Sequence, residues 1–214
     1  MKILCTDQRS DAWHTARLGR LTGSRAGDML AKIKSGGEAA GRRNLRVQLV
    51  LERLTNASQE NGYVSADMQY GIDREPDAFA AYEAETGLVV EKCGFLAHDT
   101  MLAGCSPDGV VGNFTGIIEL KCCKSATHLE FLKTRTIPAN HLAQITHNLF
   151  ITGAQWCDYV SFDDRFPDGL QLEIIRVSKS DVDLVAYELA ASLFLSEVEK
   201  ELAGLSQLRT VGAA

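Results

Sequence analysis

Long apolar runs are missing from this 214-residue chain: no stretch reaches the roughly 20 residues that a bilayer crossing needs. A membrane-spanning helix is therefore excluded. Met1-Lys2-Ile3-Leu4-Cys5-Thr6-Asp7 has none of the apolar core of a secretory signal, so a cytoplasmic protein is expected. The six cysteines (Cys5, Cys93, Cys105, Cys122, Cys123, Cys157) include no C-x-x-C pair, which argues against zinc or iron–sulfur ligation. They read as small apolar residues of a reducing compartment. Internal repeats and low-complexity tracts are absent. So is an overall basic charge: 22 Lys/Arg against 28 Asp/Glu leave a net −6, which speaks against a nucleic-acid partner until the chain is divided. Residues 1–54 hold eleven Lys/Arg and five Asp/Glu, or +6, so the remaining 160 residues carry −12. That split is either an ordinary solvated helical surface or a basic face on an acidic body. The second would suit an enzyme that travels along DNA rather than clamping it.

What is present is a soluble composition, 45% hydrophobic and 23% charged, at a length that predicts one domain. Asp11 is placed as the N-cap of a short helix stopping at Gly19, and Ser24 as the cap of a second through about Lys32. Arg17 and Ser24 are candidate phosphate contacts, because hydroxyl-capped helix starts beside arginine favour anions. Plain capping and a surface arginine are the alternative. After a linker at 34–41 come helices over about Arg42–Thr55, where Leu45, Leu49 and Leu54 recur, and Ser65–Thr86, broken or kinked near Gly71 and Pro76. A loop at 56–64 separates them. Ile72, Glu75, Phe79 and Tyr82 share one face of the longer helix. A carboxylate on an apolar stripe is either solvated or aimed at a cation, since burying it unpaired is costly.

From Leu88 the period changes to two, giving strands over Leu88–Leu96, Met101–Cys105, Val110–Val111 and Gly116–Cys122. Helices follow over Ser125–Thr134 and Pro138–Ile151. The latter carries Leu142, Ile145, Leu149 and Phe150 on its apolar side, with Gln144, His147 and Asn148 elsewhere. Strands over Gln155–Phe162 and Leu170–Val177 precede a last helix capped by Ser178 or Ser180 and running to about Leu202. Residues 207–214 are expected to fray. The order of elements is that of an α/β or α+β domain with a mixed central sheet flanked by helices.

The chemistry concentrates between Cys105 and Lys121. Pro107-Asp108-Gly109 is turn chemistry holding a carboxylate. In the β-branched run Ile117-Ile118-Glu119-Leu120-Lys121, Glu119 and Lys121 share a face, while Ile118 and Leu120 point into a core. A short hairpin around Asn113–Gly116 would bring Asp108 beside Glu119. Two carboxylates and an ammonium suit a hard divalent cation beside a phosphoryl group. A surface hairpin with a solvated acid and lysine satisfies the same spacing.

The spacing resembles the PD-(D/E)xK nuclease signature. Taken with Asp11-Ala12-Trp13-His14, Arg17-Leu18-Gly19, Thr22-Gly23-Ser24, Gly71 to Glu75, Glu119-Leu120-Lys121-Cys122 and Ala143-Gln144, the chain resembles the lambda exonuclease family of YqaJ-like viral recombinases from about Asp11 to Val177. The resemblance implies a restriction-endonuclease-like core in a single nuclease domain over 1–206, with residues 1–60 contributing a helical DNA-end-binding segment. It implies a pair of magnesium ions, manganese being a substitute, on Asp108, Glu119 and the Leu120 carbonyl, with Glu75 near the second. Lys121 would hold or activate the attacking water, Gln144 would place the nucleophile or scissile phosphate, and Arg17 with Ser24 would grip a 5′-phosphate.

Further implications are a homotrimeric ring on double-stranded DNA ends and 5′→3′ digestion to mononucleotides. The 3′ overhang would pass to a phage-type single-strand annealing protein, in the cytoplasm of a bacterium carrying a phage or prophage. One departure stands out: related nucleases carry Gln-x-x-x-Tyr on a helix, and here the tyrosine position is Asn148. His14, His141 and His147 are read as structural or solvated. The rivals are a PD-(D/E)xK endonuclease and a non-catalytic DNA-end-binding module. Paired-carboxylate glycoside hydrolysis gives no reason for Lys121 or the upstream arginines.

Overall fold

The computed structural model describes residues 1–34, 37–59, 62 and 64–211, with side chains through 205. In chain order the elements are β1 (Lys2–Cys5), α1 (Asp11–Arg17), β2 (Leu21–Thr22), a 3₁₀ turn (Gly23–Arg25), α2 (Ala26–Leu30), α3 (Ala40–Thr55) and α4 (Ala66–Thr86). Then come β3 (Phe95–Ala97), β4 (Ala103–Cys105), β5 (Gly109–Val111), β6 (Gly116–Cys122), α5 (Ser125–Thr134) and α6 (Ala139–Thr152). β7 (Trp156–Phe162), β8 (Leu172–Ser178), a second 3₁₀ turn (Lys179–Asp181) and α7 (Leu184–Val211) complete the described chain.

The strands form two mixed four-stranded sheets rather than one, ordered β1-β3-β4-β2 and β5-β6-β7-β8. The second sheet builds the site. β6 pairs antiparallel with β5 and parallel with β7. A parallel neighbour needs a long crossover, supplied here by α5 and α6. Both faces of β6 are covered, which is why its β-branched run reads as nearly continuous. Ile117 packs with Phe131, Ile145 and Leu149 on the α5/α6 side. Ile118 and Leu120 pack with Phe79 and Tyr82 of α4 on the other. Glu119 and Lys121 therefore share the α5/α6 face with Ile117.

The β5–β6 turn takes Gly112, Asn113 and Phe114 through positive φ (56°, 51° and 65°), and Thr115 N–H closes it on the Gly112 carbonyl at 3.1 Å. Its register sets Gly109 opposite Ile118, leaving Asp108 at the strand end with its N–H on the Ile118 carbonyl at 3.0 Å.

Several local expectations change. Ser10, not Asp11, caps α1, its hydroxyl accepting the Trp13 N–H at 3.2 Å. Ser24 caps nothing: it lies inside the 3₁₀ turn, and α2 begins at Ala26 without a side-chain cap and ends at Leu30. α4 runs unbroken through Gly71 and Pro76, anchored at one end by Tyr70 on Asp164 and at the other by buried Phe79 and Tyr82. The strand expected over Leu88–Leu96 shrinks to an isolated Glu91–Val110 bridge and β3. Val90 instead packs against the α4 side, and its N–H is taken by Glu83.

β1 and β2 had no expected counterpart, being short segments ordered by pairing with β3 and β4. Leu54 is exposed, and so is Leu142, whereas His147 and Asn148 of α6 are buried. The final helix reaches Val211, past Leu202, and Ser178 caps the 3₁₀ turn before it rather than the helix itself. Residues 207–211 of the expected frayed tail have helical backbone, and 212–214 lie outside the described residues. In the linkers, 35, 36, 60, 61 and 63 likewise lie outside them.

The basic excess of the first 54 residues is partly neutralised internally. Arg42, Arg46 and Arg53 of α3 pair with Glu197, Glu201 and Glu199 of α7. Among the described residues no helix is long and apolar enough to cross a membrane.

Candidate active site

The hairpin register delivers Asp108 to Glu119. Asp108 turns its carboxylate onto β6, where Oδ2 accepts the Leu120 N–H at 2.7 Å. Glu119 is fully buried, with Oε1 at 2.5 Å from Lys121 Nζ and Oε2 accepting from Asn148 Nδ2 at 3.1 Å. The sequence-predicted triad thus converges at the end of the β5–β6 hairpin, with Glu119 fully buried and Asp108 and Lys121 half-buried, and the solvated-hairpin alternative falls.

Burial, then the charge of Glu119, lifts the Asp108 carboxyl to about 7, against the opposing pull of Lys121. Burial would lower Lys121, but the charges of Glu119 and Asp108 outweigh it and hold the ammonium above its ordinary range. Lys121 is therefore a fixed positive charge. Two carboxylates and one ammonium leave the cluster a charge short of neutrality.

That imbalance, with hard oxygen donors on Asp108, Glu119 and the Leu120 carbonyl, fits a magnesium-type cation. No group of three His, Cys, Asp or Glu gathers as a ready metal cage among the described residues.

Glu75 lines a cavity of about 170 Å³ together with Asp108, Arg9 and Lys92. Its side chain is 16% exposed, with Oε2 at 2.8 Å from Arg9 and Oε1 at 3.4 Å from Lys92. Glu75 is thus ion-paired rather than freely solvated, on the rim of the same cleft. Gln144 lies half-buried one turn before Asn148 on α6, and both side chains abut Gly23.

Arg17 stacks on Trp13 at 4.1 Å, and Trp13 Nε1 donates to Ser106 Oγ at 2.8 Å, two residues before Asp108. Arg17 also lines a small cavity with His14, Arg20, Thr22 and Arg25. Ser24 is exposed beside Thr22 (Oγ to Oγ1 3.4 Å) and borders a different hollow, with Asn140 and Ala143. The two candidate anion contacts therefore line different hollows.

Sequence reasoning missed several participants. Gln8 donates to the carbonyls of Cys93 (3.0 Å) and Pro107 (2.9 Å), holding the turn that carries Asp108. No pattern marks it. Nor does any pattern mark Arg9, which lies ahead of the first helix. In the sequence Asn148 shows only as a departure from a motif, with nothing to mark it as a partner of Glu119.

Of the histidines, His147 is buried between Tyr187 Oη (2.7 Å) and the Gly104 carbonyl (2.8 Å), and burial lowers it to about 4. That is a structural role, as expected. His141 Nδ1 meets Tyr159 Oη at 2.9 Å, and burial, then the Lys121 charge, brings it to about 4. His14 is exposed against Trp13.

Mixed sheets clad by helices, with an acid–acid–lysine cluster where a turn meets a central strand, define the PD-(D/E)xK-like class. The YqaJ-like viral recombinase domain matches residues 12–155, and the chain belongs to that family, the lambda exonuclease type.

Among solved structures, it is 38% identical to the alkaline exonuclease LHK-Exo of Laribacter hongkongensis, with a TM-score of 0.85 over 96% of this chain and 100% of that one. The LHK-Exo complex with dAMP gives 37%, a TM-score of 0.86 and the same coverage. A phage-related exonuclease of Haemophilus somnus 129PT shares the fold at 12% identity, with a TM-score of 0.68 over 87% of this chain and 96% of that one. Comparison with curated proteins gave no significant match.

Proposed function

We propose that this chain is a nuclease of the alkaline exonuclease type, digesting linear double-stranded DNA 5′→3′ with magnesium. The observation that carries the proposal is the convergence of half-buried Asp108 and Lys121 on fully buried Glu119, with Asp108 lining a cleft shared with Glu75. Kinship with LHK-Exo, an alkaline exonuclease also solved in complex with dAMP, supports it.

Asp108, Glu119 and the Leu120 carbonyl would hold the first metal, and Glu75 would face a second through water. Bound there, the metal pair supplies a Lewis acid that lowers the pKa of water and offsets charge on the leaving oxygen. Manganese is the expected substitute. The chain's own residues do the rest. Lys121, protonated throughout the neutral range, offsets charge building on the phosphoryl oxygens and holds the water by donating to it. Gln144, half-buried on α6 one turn before Asn148, would orient the water or the scissile phosphate through its amide. Arg17, with Ser24, grips the terminal 5′-phosphate, fixing which end enters.

The product is a mononucleotide and a 3′ overhang. On this reading the protein works as a homotrimeric ring in the host cytoplasm and hands the overhang to a phage-type annealing protein.

The test is a linear 5′-phosphorylated duplex, labelled separately at each end, incubated with magnesium or EDTA beside a covalently closed circle. Mononucleotides from the 5′ label, an intact circle and no product in EDTA are expected. Cutting of the circle would make the protein an endonuclease, and no soluble nucleotide would leave a DNA-end-binding module.

A further inference from the structure

Asn148 is 1% exposed, and its two amide atoms are used unequally. Nδ2 donates to Glu119 Oε2 at 3.1 Å, while Oδ1 is buried with no hydrogen-bond partner. Its orientation is dictated by charge, because a flipped amide would set Oδ1 against the carboxylate. With Lys121 on Oε1 and Asn148 on Oε2, each oxygen of Glu119 is held by a donor from a different element.

The far side of the amide meets Gly23. A Cβ built there would come within 2.5 Å of Asn148 Oδ1 and 3.4 Å of Gln144 Cγ. Gly23 does not have a positive φ, so space rather than backbone freedom calls for glycine in Thr22-Gly23-Ser24. The amide cannot give way without releasing Glu119.

We infer that Asn148 is a positioning residue that fixes the Glu119 carboxylate for metal, and that Gly23 keeps it seated. The turn between Arg17 and Ser24 is thereby packed directly onto the partner of a metal ligand. The inference rests on the metal-site reading above and deepens it. Groups hydrogen-bonded to metal ligands typically tune affinity or activity by about 10–100-fold, and that is the effect expected here.

The experiment compares wild type, Asn148→Leu, Asn148→Ala, Gly23→Ala and the Gly23→Ala/Asn148→Ala double variant as full chains. Magnesium binding is measured by calorimetry without DNA, melting in EDTA, and kcat and KM on linear duplex. Asn148→Leu removes the donor at similar volume and should weaken magnesium binding about 10–100-fold, leaving KM for DNA unchanged. Gly23→Ala should do the same alone and add nothing in the Asn148→Ala background, where the obstructing Oδ1 is gone.

Wild-type magnesium affinity in Asn148→Leu, or a full additive penalty in the double variant, overturns the inference while the proposed function stands. Should Asn148→Leu not fold, Gly23→Ala against the double variant carries the same decision. A wild type that neither binds magnesium nor digests DNA overturns both readings together.

Discussion

Replacing Asp108 by Asn should make the metal-free protein more stable while abolishing its proposed activity. Asp108 shares its surroundings with Glu119 and one ammonium, and burial, then Glu119, lifts its carboxyl to about 7. An unfolded aspartate titrates near 3.9. The native state therefore binds more protons between roughly pH 4 and 7, and stability falls as pH rises through that window, levelling off above it. A tenfold change in proton affinity is worth about 1.4 kcal/mol, so the penalty at pH 8 is on the order of a few kcal/mol.

Asn keeps an acceptor for the Leu120 N–H and removes the charge. In a domain of this size about 1 kcal/mol moves Tm by roughly 2–4 °C, so a gain of several degrees is expected for Asp108→Asn at pH 8 in EDTA. The gain should shrink toward nothing near pH 4. Magnesium should raise the wild-type Tm at pH 8 and leave the variant's unchanged. Calorimetry in EDTA and in magnesium at several pH values reads all of this. A variant no more stable than wild type at pH 8, or equally favoured at pH 4, would refute the idea that this carboxylate pair is under-neutralised.

Other outcomes follow from the same geometry. Lys121→Ala should cut magnesium-dependent digestion by about 10²-fold or more, with duplex binding retained on a mobility-shift gel. It should also lower the metal-free Tm, since Glu119 is left buried without its ammonium. Arg17→Ala should slow digestion of 5′-phosphorylated ends and narrow the preference over 5′-hydroxyl ends; an unchanged ratio of the two rates would remove Arg17 from that role. His147, lowered to about 4 by burial, is neutral when folded, so its share of stability is lost as pH falls from about 6.5 toward 4. His147→Gln should flatten that part of the melting profile relative to wild type, and an identical pH slope would contradict the assignment.

The motif reading succeeded where chemistry is local. Pro107-Asp108-Gly109 and the strand Gly116–Cys122 depend on turn preferences and a two-residue period, and both lie where expected, with Glu119 and Lys121 on one face. It failed where neighbours decide. The two-residue period over Leu88–Leu96 served packing more than a strand ladder, because Val90 sits against α4 and Glu83 takes its N–H. Pro76 ought to break a helix, yet α4 continues through it under contacts at both ends.

By itself, then, the order of residues determined which groups are candidates for the chemistry and that Asp108 and Glu119 could meet, since a short hairpin leaves little choice of register. Only the tertiary structure decided that Glu119 is fully buried, that Asn148 rather than a tyrosine holds its second oxygen, and that Gly23 makes room for that amide. Those facts join residues over a hundred positions apart on α6 and the Gly23 turn. A helical period says which residues share a face, but not what that face will meet.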